Sequence, residues 1–323
     1  MTEPFPVMEH LSAQEKLLVG LIFYSPVIIA FIFGTVIGSL SNVVIHRLVY
    51  YRSIWSPPSH CTSCGKEIPW YLNIPIASWL VLRGRCRYCG ARFTSRYLWV
   101  ELTSGLLYAL VVLWMYSLPP PQGLGIRFME AITFRFSENP PLGFSQDPLS
   151  LGLMFKGFVF SSLLLILAMI DLEHKLLPDR LTIPGIILGL LLSVMAPLNR
   201  PTIAMFGTAG WVDAAVQSVT GLIVGGGILF LIAAFVPAGM GGGDVKLMAM
   251  IGAFVGILAL GPSMFLGFVL GGAIGVLLMI LGKARRKSLI PFGPFLAAGG
   301  LIGFFWGHQM WTWYIHKYGS SGL

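Results

Sequence analysis

The chain is written as long apolar runs separated by short polar ones. Leu17–Ile45 carries no Lys, Arg, Asp or Glu, and neither do Leu102–Leu118, Leu181–Leu198, Ala214–Gly243, Leu247–Gly282 or Ser288–Gln309. About 20 apolar residues suffice for a helix to cross a bilayer, so these runs predict transmembrane helices. Leu247–Gly282, at 36 residues, is too long for one crossing, and Gly261-Pro262 near its middle predicts the turn between two. Leu149–Ile170 adds a further span, with Lys156 snorkelling near one end. The count is eight helices. Two are marginal: the span ending at Asp171, and the second, which reaches full length only by including Tyr97–Val100.

Composition agrees with this pattern. The chain is 56% hydrophobic and 11% charged, against roughly 25% charged in soluble domains. Lys and Arg then set the orientation, because they collect on the cytoplasmic side. With the N-terminus outside, the segment 47–96 is cytoplasmic and holds eight Lys or Arg against a single acid, Glu67. In all, 15 of the 21 basic residues fall on that side. The acidic N-terminal tail, with Glu3, Glu9 and Glu15, suits the outside. The first apolar run is long and lacks a basic region before it, so it is expected to remain as an uncleaved span. Topology and attraction to anionic lipid account for the net charge of +8, and no nucleic-acid partner is expected. The expected organisation is an N-terminal tail and first helix (1–46), a cytoplasmic insert (47–96), a seven-helix membrane core (97–317) and a flexible tail (318–323).

All four cysteines lie in the insert, as Cys61-Thr-Ser-Cys64 and Cys86-Arg-Tyr-Cys89, with 21 residues between the pairs. Two such knuckles can clamp one tetrahedral zinc, and four thiolates make a closed, structural site. The spacing is slightly long, which a small β-hairpin between the knuckles would absorb. Gly65 and Gly90 follow the knuckles directly and supply their tight turns. Two disulfides are the other reading, and the reducing cytosol argues against them. An insert this short, rich in Pro, Arg and aromatics, needs a metal staple to fold. Its basic surface suits lipid headgroups or an acidic ligand.

The acids carry the chemistry. Asp171 ends one apolar span, and Asp244 follows Gly241-Gly242-Gly243 at the edge of another. An ionisable group at membrane depth marks function by default. Near Asp171, Glu173 and Asp179 also compete, each with a base beside it (Lys175, Arg180); Asp179 can also cap a helix starting near Leu181. Asp171 lies deepest. Asp244 has two readings: the N-cap of the next helix after a flexible turn, or a carboxylate beside side-chain-free backbone (Gly241, Gly243) against which an extended substrate lies. Lys246 is expected to be a snorkelling anchor. Were the two aspartates to meet, repulsion would leave a proton on one of them. The ionised one then takes a proton from water while the other polarises a carbonyl.

These residues, taken in order, resemble the prepilin peptidases, or type IV leader peptidases. The resemblance runs through Gly38-Ser39-Leu40-Ser41-Asn42 and His46-Arg47-Leu48, the two cysteine pairs, Asn73-Ile74-Pro75, Gly84-Arg85, Arg96-Tyr97 and Glu101. It continues through Asp171, Leu177-Pro178-Asp179, Gly239-Met240-Gly241-Gly242-Gly243-Asp244-Val245-Lys246 and Ile290-Pro291-Phe292-Gly293-Pro294-Phe295. It implies an aspartic peptidase of the bacterial inner membrane with Asp171 and Asp244 as the dyad. Such a peptidase cuts the leaders of type IV prepilins and pseudopilins at the cytoplasmic face, after a glycine. It further implies N-methylation of the new terminus from S-adenosylmethionine. The family's Gly-Lys before the second cysteine pair is Gly84-Arg85 here, which keeps the charge and changes its shape. Glu101 either binds the amine or the methyl donor, or pairs with a loop arginine. The stretch 118–150, with Pro119-Pro120-Pro121 and Pro140-Pro141, is a longer outside loop than the family leads one to expect. Two other classes fit the raw pattern: a transporter using the aspartates as a cation or proton site, and an assembly scaffold docking partners through the insert.

Overall fold

The computed structural model describes residues 12–51, 53, 56, 58–117, 148–197, 210–235, 241–283 and 291–318. The 118–147 part of the long outside loop, most of the tail and Gly239-Met240 lie outside them. Helices dominate: α1 (Ala13–Val49), α2 (Ala77–Leu82), α3 (Arg96–Ser117), α4 (Pro148–His174), α5 (Asp179–Met195), α6 (Gly210–Phe235), α7 (Gly242–Ile280) and α8 (Gly293–Tyr318). Among the described residues, extended pairing is confined to two isolated bridges, His60 with Glu67 and Arg85 with Arg92. Five helices, α1, α3, α4, α6 and α7, contain stretches long and apolar enough to cross a membrane. The second span reaches its length by including Tyr97–Val100, as expected. α1 runs to Val49, three residues into the segment assigned to the insert.

Two compact units divide the chain: residues 1–40 with 58–154, and residues 41–57 with 155–323. In the first, α3 buries Val100, Ser104, Tyr108, Val111 and Met115, one stripe at helical spacing. Against it lie Gly34 and Gly38 of α1, where an added Cβ would strike Tyr108, Ser104 and the Glu101 backbone. Small residues let helices meet closely where lipid supplies no hydrophobic drive between them. The insert between α1 and α3 contains a 3₁₀ turn (Trp70–Leu72) and α2, and no hairpin joins the knuckles. Each knuckle instead closes its own bridge, and the short helix takes up the extra length.

In the second unit α7 is central. Leu247 through Gly256 is buried without a break, surrounded by α5, α6 and α8. The backbones of Gly221 (α6) and Gly252 (α7) touch. The predicted turn at Gly261-Pro262 does not occur there. α7 breaks earlier, at Gly256, whose φ of 75° and ψ of 173° leave the helical region. A positive φ favours glycine, whereas Pro262 lies near the start of the restarted helix and stays within it. Lys156 does not snorkel either: it is 1% exposed, because it lies on the packed stripe of α4.

The Gly221–Gly252 contact leaves no room for a side chain. Gly252→Leu is expected to lower stability by about 2 kcal/mol or more through overpacking, measured as a lower unfolding midpoint in detergent. Gly227→Ala, where nothing lies within 4 Å of an added Cβ, should leave the midpoint in place.

Candidate active site

α4 brings the first carboxylate to its place. Phe160, Leu164, Leu167 and Ile170 form its fully buried stripe, and the next residue, Asp171, shares that face and is 6% exposed. The helix ends three residues later. Lys175, at a φ of 55°, closes it by donating its N–H to the Asp171 carbonyl at 2.8 Å, an αL cap. The Asp171 side chain meets the start of another helix: Oδ2 accepts the Gly293 N–H of α8 at 2.8 Å. A carboxylate at a helix N-terminus is held by both a donor and the helix dipole. The contact is close. A Cβ on Gly293 would come within 2.7 Å of Oδ2.

Asp244 is held in the same manner by its own helix. It is the third residue of α7 rather than the N-cap; Gly241 holds that position, extended at φ −85° and ψ 153°. Asp244 N–H donates to the Gly241 carbonyl at 3.1 Å, and Asp244 Oδ2 accepts the Gly241 N–H at 3.2 Å. The N-cap expectation fails because two of the glycines join the helix. The glycines also divide their duties. Gly243 packs on Leu177 of the α4–α5 loop, while among the described residues nothing lies within 4 Å of where a Cβ on Gly242 would sit. Gly243 is next to Asp244, and Leu177 follows Asp171 in the α4–α5 connection, so the two acids come from neighbouring segments of the fold.

The competing acids go elsewhere. Asp179 is the first residue of α5, with Pro178 as N-cap, and Oδ1 accepts from Lys246 Nζ at 2.6 Å. Lys246 is thus an ion-pair partner rather than a snorkelling anchor, since the α5 and α7 starts lie side by side. Glu173 lies 3.8 Å from His174. Arg180 stacks over Tyr51 at 4.3 Å, and Tyr50 meets His174 edge-on at 6.0 Å.

In the insert the four cysteines converge, their sulfurs all within 4.8 Å of one another. They are free thiols. Cys61 Sγ and Cys89 Sγ stand 3.8 Å apart, close to the edge of a tetrahedron with metal–sulfur bonds of about 2.3 Å. The two knuckles repeat one backbone pattern: Gly65 and Gly90, both at a φ of 70°, donate to the Cys61 and Cys86 carbonyls at 2.8 and 2.9 Å. Backbone amides of Cys64 and Ser63 draw the Cys61 thiol down to about 6, whereas desolvation and the three neighbouring sulfurs hold Cys89 up at about 11.

Glu101 sits apart from the loop arginines. It is 8% exposed, and Oε2 accepts the Ile76 N–H at 2.8 Å, with Ser39 also bonded to the carboxylate. No arginine pairs with it among the described residues. Ile76 holds a φ of 61°, uncommon for a β-branched residue. Gly84 lies under the Trp79 ring at the other end of α2, and Arg85 beside it is exposed. Glu101 and the Gly84-Arg85 pair thus mark opposite ends of a six-residue helix, about 9 Å long. The sequence offered no role for Gly293, Leu177 or Ile76; only the order of motifs placed the first two near the acids.

The chain thus combines five helices long and apolar enough to cross a membrane, an acid near the end of α4, another in the first turn of α7, and a four-cysteine insert. Residues 32–115 match the bacterial peptidase A24 N-terminal domain and residues 158–276, which include both aspartates, match the type IV leader peptidase family. The chain belongs to that peptidase family. It is 31% identical to a prepilin leader peptidase/N-methyltransferase of Stutzerimonas stutzeri, over 90% of this chain and 93% of the relative. Relatives of the same name in Aeromonas hydrophila (30%, covering 90% and 94%) and Bacillus subtilis strain 168 (29%, covering 89% and 97%) are similar along their whole length. No solved structure matches the chain.

The Asp179–Lys246 pair is half exposed, at 56% and 43% of its side chains. Such pairs contribute less than about 1 kcal/mol. Lys246→Met should therefore lower the unfolding midpoint slightly at low salt and not at 1 M salt, where the charges are screened.

Proposed function

We propose that this protein is a membrane aspartic peptidase that removes the leaders of type IV prepilins and pseudopilins and then methylates the new N-terminus. Asp171 and Asp244 are its dyad. One observation carries the reading: each of the two acids is anchored by a single backbone amide, Asp171 by Gly293 and Asp244 by Gly241, and neither is paired with a cation among the described residues. Each spends one oxygen on its amide, which leaves the other for water and substrate.

The chain crosses the inner membrane eight times, counting the two halves of α7 on either side of Gly256 as separate passes. The N-terminus is outside, and the insert and both aspartates are at the cytoplasmic face, as the Lys and Arg distribution requires. A precursor's apolar helix lies in the bilayer and its leader extends along the Gly241-Gly242 backbone. The scissile bond, after a glycine, then meets the dyad. The ionised carboxylate takes a proton from water as the oxygen attacks the carbonyl, and the protonated one donates a hydrogen bond to that carbonyl. Collapse breaks the C–N bond, and the leaving amine takes a proton from the dyad.

The cysteine set fits a structural zinc, held by Cys61, Cys64, Cys86 and Cys89, with no position left for substrate. For methyl transfer, S-adenosylmethionine supplies the methyl group. Glu101, buried with neutral donors only, suits the amine that receives it. Gly84 shapes the turn beside Trp79, and Arg85 offers a charge from the far end of α2.

Two measurements test this reading. With purified protein and a prepilin in detergent, Asp171→Asn and Asp244→Asn should each reduce cleavage at least 10³-fold (about 4 kcal/mol of barrier) while both proteins unfold near the wild-type temperature. Glu101→Gln should cleave normally and fail to methylate; cleavage by either aspartate variant at the wild-type rate ends the dyad assignment. Elemental analysis should give one zinc per chain, and Cys61→Ser should lose both the metal and folded insert. A stably folded, metal-free preparation contradicts the staple.

A further inference from the structure

Lys156 is buried inside the second unit, at 1% exposure, and the proposed chemistry does not use it. It stands fifteen residues before Asp171 on α4, about 22 Å away at 1.5 Å per residue. Its Nζ makes one long hydrogen bond, 3.5 Å, to the Ala196 carbonyl at the end of α5. A helix C-terminus favours a cation, yet one weak bond leaves most of the ammonium's donor capacity for the space in front of it. That space is a cavity with room of about 20 Å³ for a water centre, enough for one molecule. Gln217 lines the same cavity, and its Nε2 donates to Asp213 Oδ2 at 2.6 Å. Asp213 is 4% exposed, and its Oδ1 has no hydrogen-bond partner among the described residues.

The break in α7 forms another wall, through Val255 and Gly256. A break frees carbonyls that must find donors. Ser193 of α5 and Ser218 of α6 both donate to the Ala253 carbonyl, at 2.8 and 2.5 Å. One turn along α4, Phe160 stacks on Phe254 at 4.7 Å and lies 5.3 Å from Phe304. These three rings, none more than 2% exposed, pack together one turn nearer Asp171 along α4, and Phe254 among them also lines the cavity.

We propose that this cavity is a second, non-catalytic ion site, in which the Lys156 ammonium, one bound water and the Asp213 carboxylate form a pair joined through Gln217. The site takes a primary ammonium, and the chain supplies one from its own side chain. Charge on either side keeps the other from being stranded in a low-dielectric interior, where removal of one partner is strongly destabilising. The pair fixes the outer walls of the break at Gly256, and so sets the position of the helix half, residues 242–255, that carries Asp244. This inference does not depend on the peptidase reading.

Unfolding midpoints in detergent test it, using full-length Lys156→Ala, Asp213→Asn and the double variant. Methylammonium chloride is the probe and choline chloride the salt control. Each single substitution should lower the midpoint by several degrees, and the double variant should lose less than the sum. Methylammonium should enter the space left by the lysine stem and raise the Lys156→Ala midpoint, leaving the wild type and the double variant unmoved. Additive losses, or a Lys156→Ala midpoint that methylammonium does not move, overturn the pair. Where Lys156→Ala fails to accumulate, the double variant decides: its recovery as folded protein supports the pair, and its absence overturns it.

Discussion

Gly293 donates its N–H to a carboxylate 122 residues earlier in the chain, and the second unit is organised around making that bond possible. It requires α4 to end beside the start of α8, and the α7 start to lie near both. Backbone groups within a bilayer find partners almost entirely inside helices or barrels, so helix ends are where a polar side chain meets unspent N–H groups. Asp171 uses the start of α8. Asp244 uses the start of its own α7, through Gly241. Both acids are thus held by fixed dipoles at helix ends, and the packing of α7 among α5, α6 and α8 decides whether they meet.

That packing depends on absent side chains. Gly221 and Gly252 touch backbone to backbone, Gly243 accepts Leu177, and Gly293 accepts the Asp171 carboxylate itself. In water the drive to bury apolar surface tolerates looser fits. In lipid, helices gain little from mere apolar contact, and close approach matters more. The glycines near the acids therefore differ in what they meet. Gly293 and Gly243 make room for the protein's own atoms, whereas Gly242 meets nothing among the described residues.

Much of this was legible in the sequence because charge is scarce. Long uncharged runs located the helices, and the few acids at their edges located Asp171 and Asp244. Two knuckles with a glycine after each gave the four-thiol cluster. The failures share a cause, which is that one-dimensional pattern does not show which face of a helix is packed. Lys156 looked like a residue near a span's end and is buried, because it shares the stripe of Phe160 and Leu164. Lys246 looked like an anchor and pairs with Asp179, because two helix starts from distant parts of the sequence lie together. Gly261-Pro262 is the stronger turn signal on paper, yet the break falls at Gly256, where packing against Gln217 and a positive φ coincide. Glu101 reads in the sequence as an arginine partner or a ligand residue, and the structure gives it the amide of Ile76, an insert residue at positive φ that no pattern foretells.

The acids sort themselves by the kind of partner they keep. Asp179, exposed, is matched by a lysine at 2.6 Å. Asp171, Asp244 and Glu101, all more enclosed, each accept a backbone N–H and are matched by no cation among the described residues. A neighbouring positive charge strongly favours the ionised form of a carboxylate and fills the space where a substrate group would go. An amide does neither to the same degree: it fixes orientation while leaving the second oxygen and the proton count to be set by what binds. Asp213 belongs with the enclosed group by burial but differs in its neighbours, since Gln217 links it to the cavity that holds Lys156. An enclosed acid held by neutral donors keeps an oxygen free for what binds, whereas Asp213 spends one of its oxygens on the Gln217 amide.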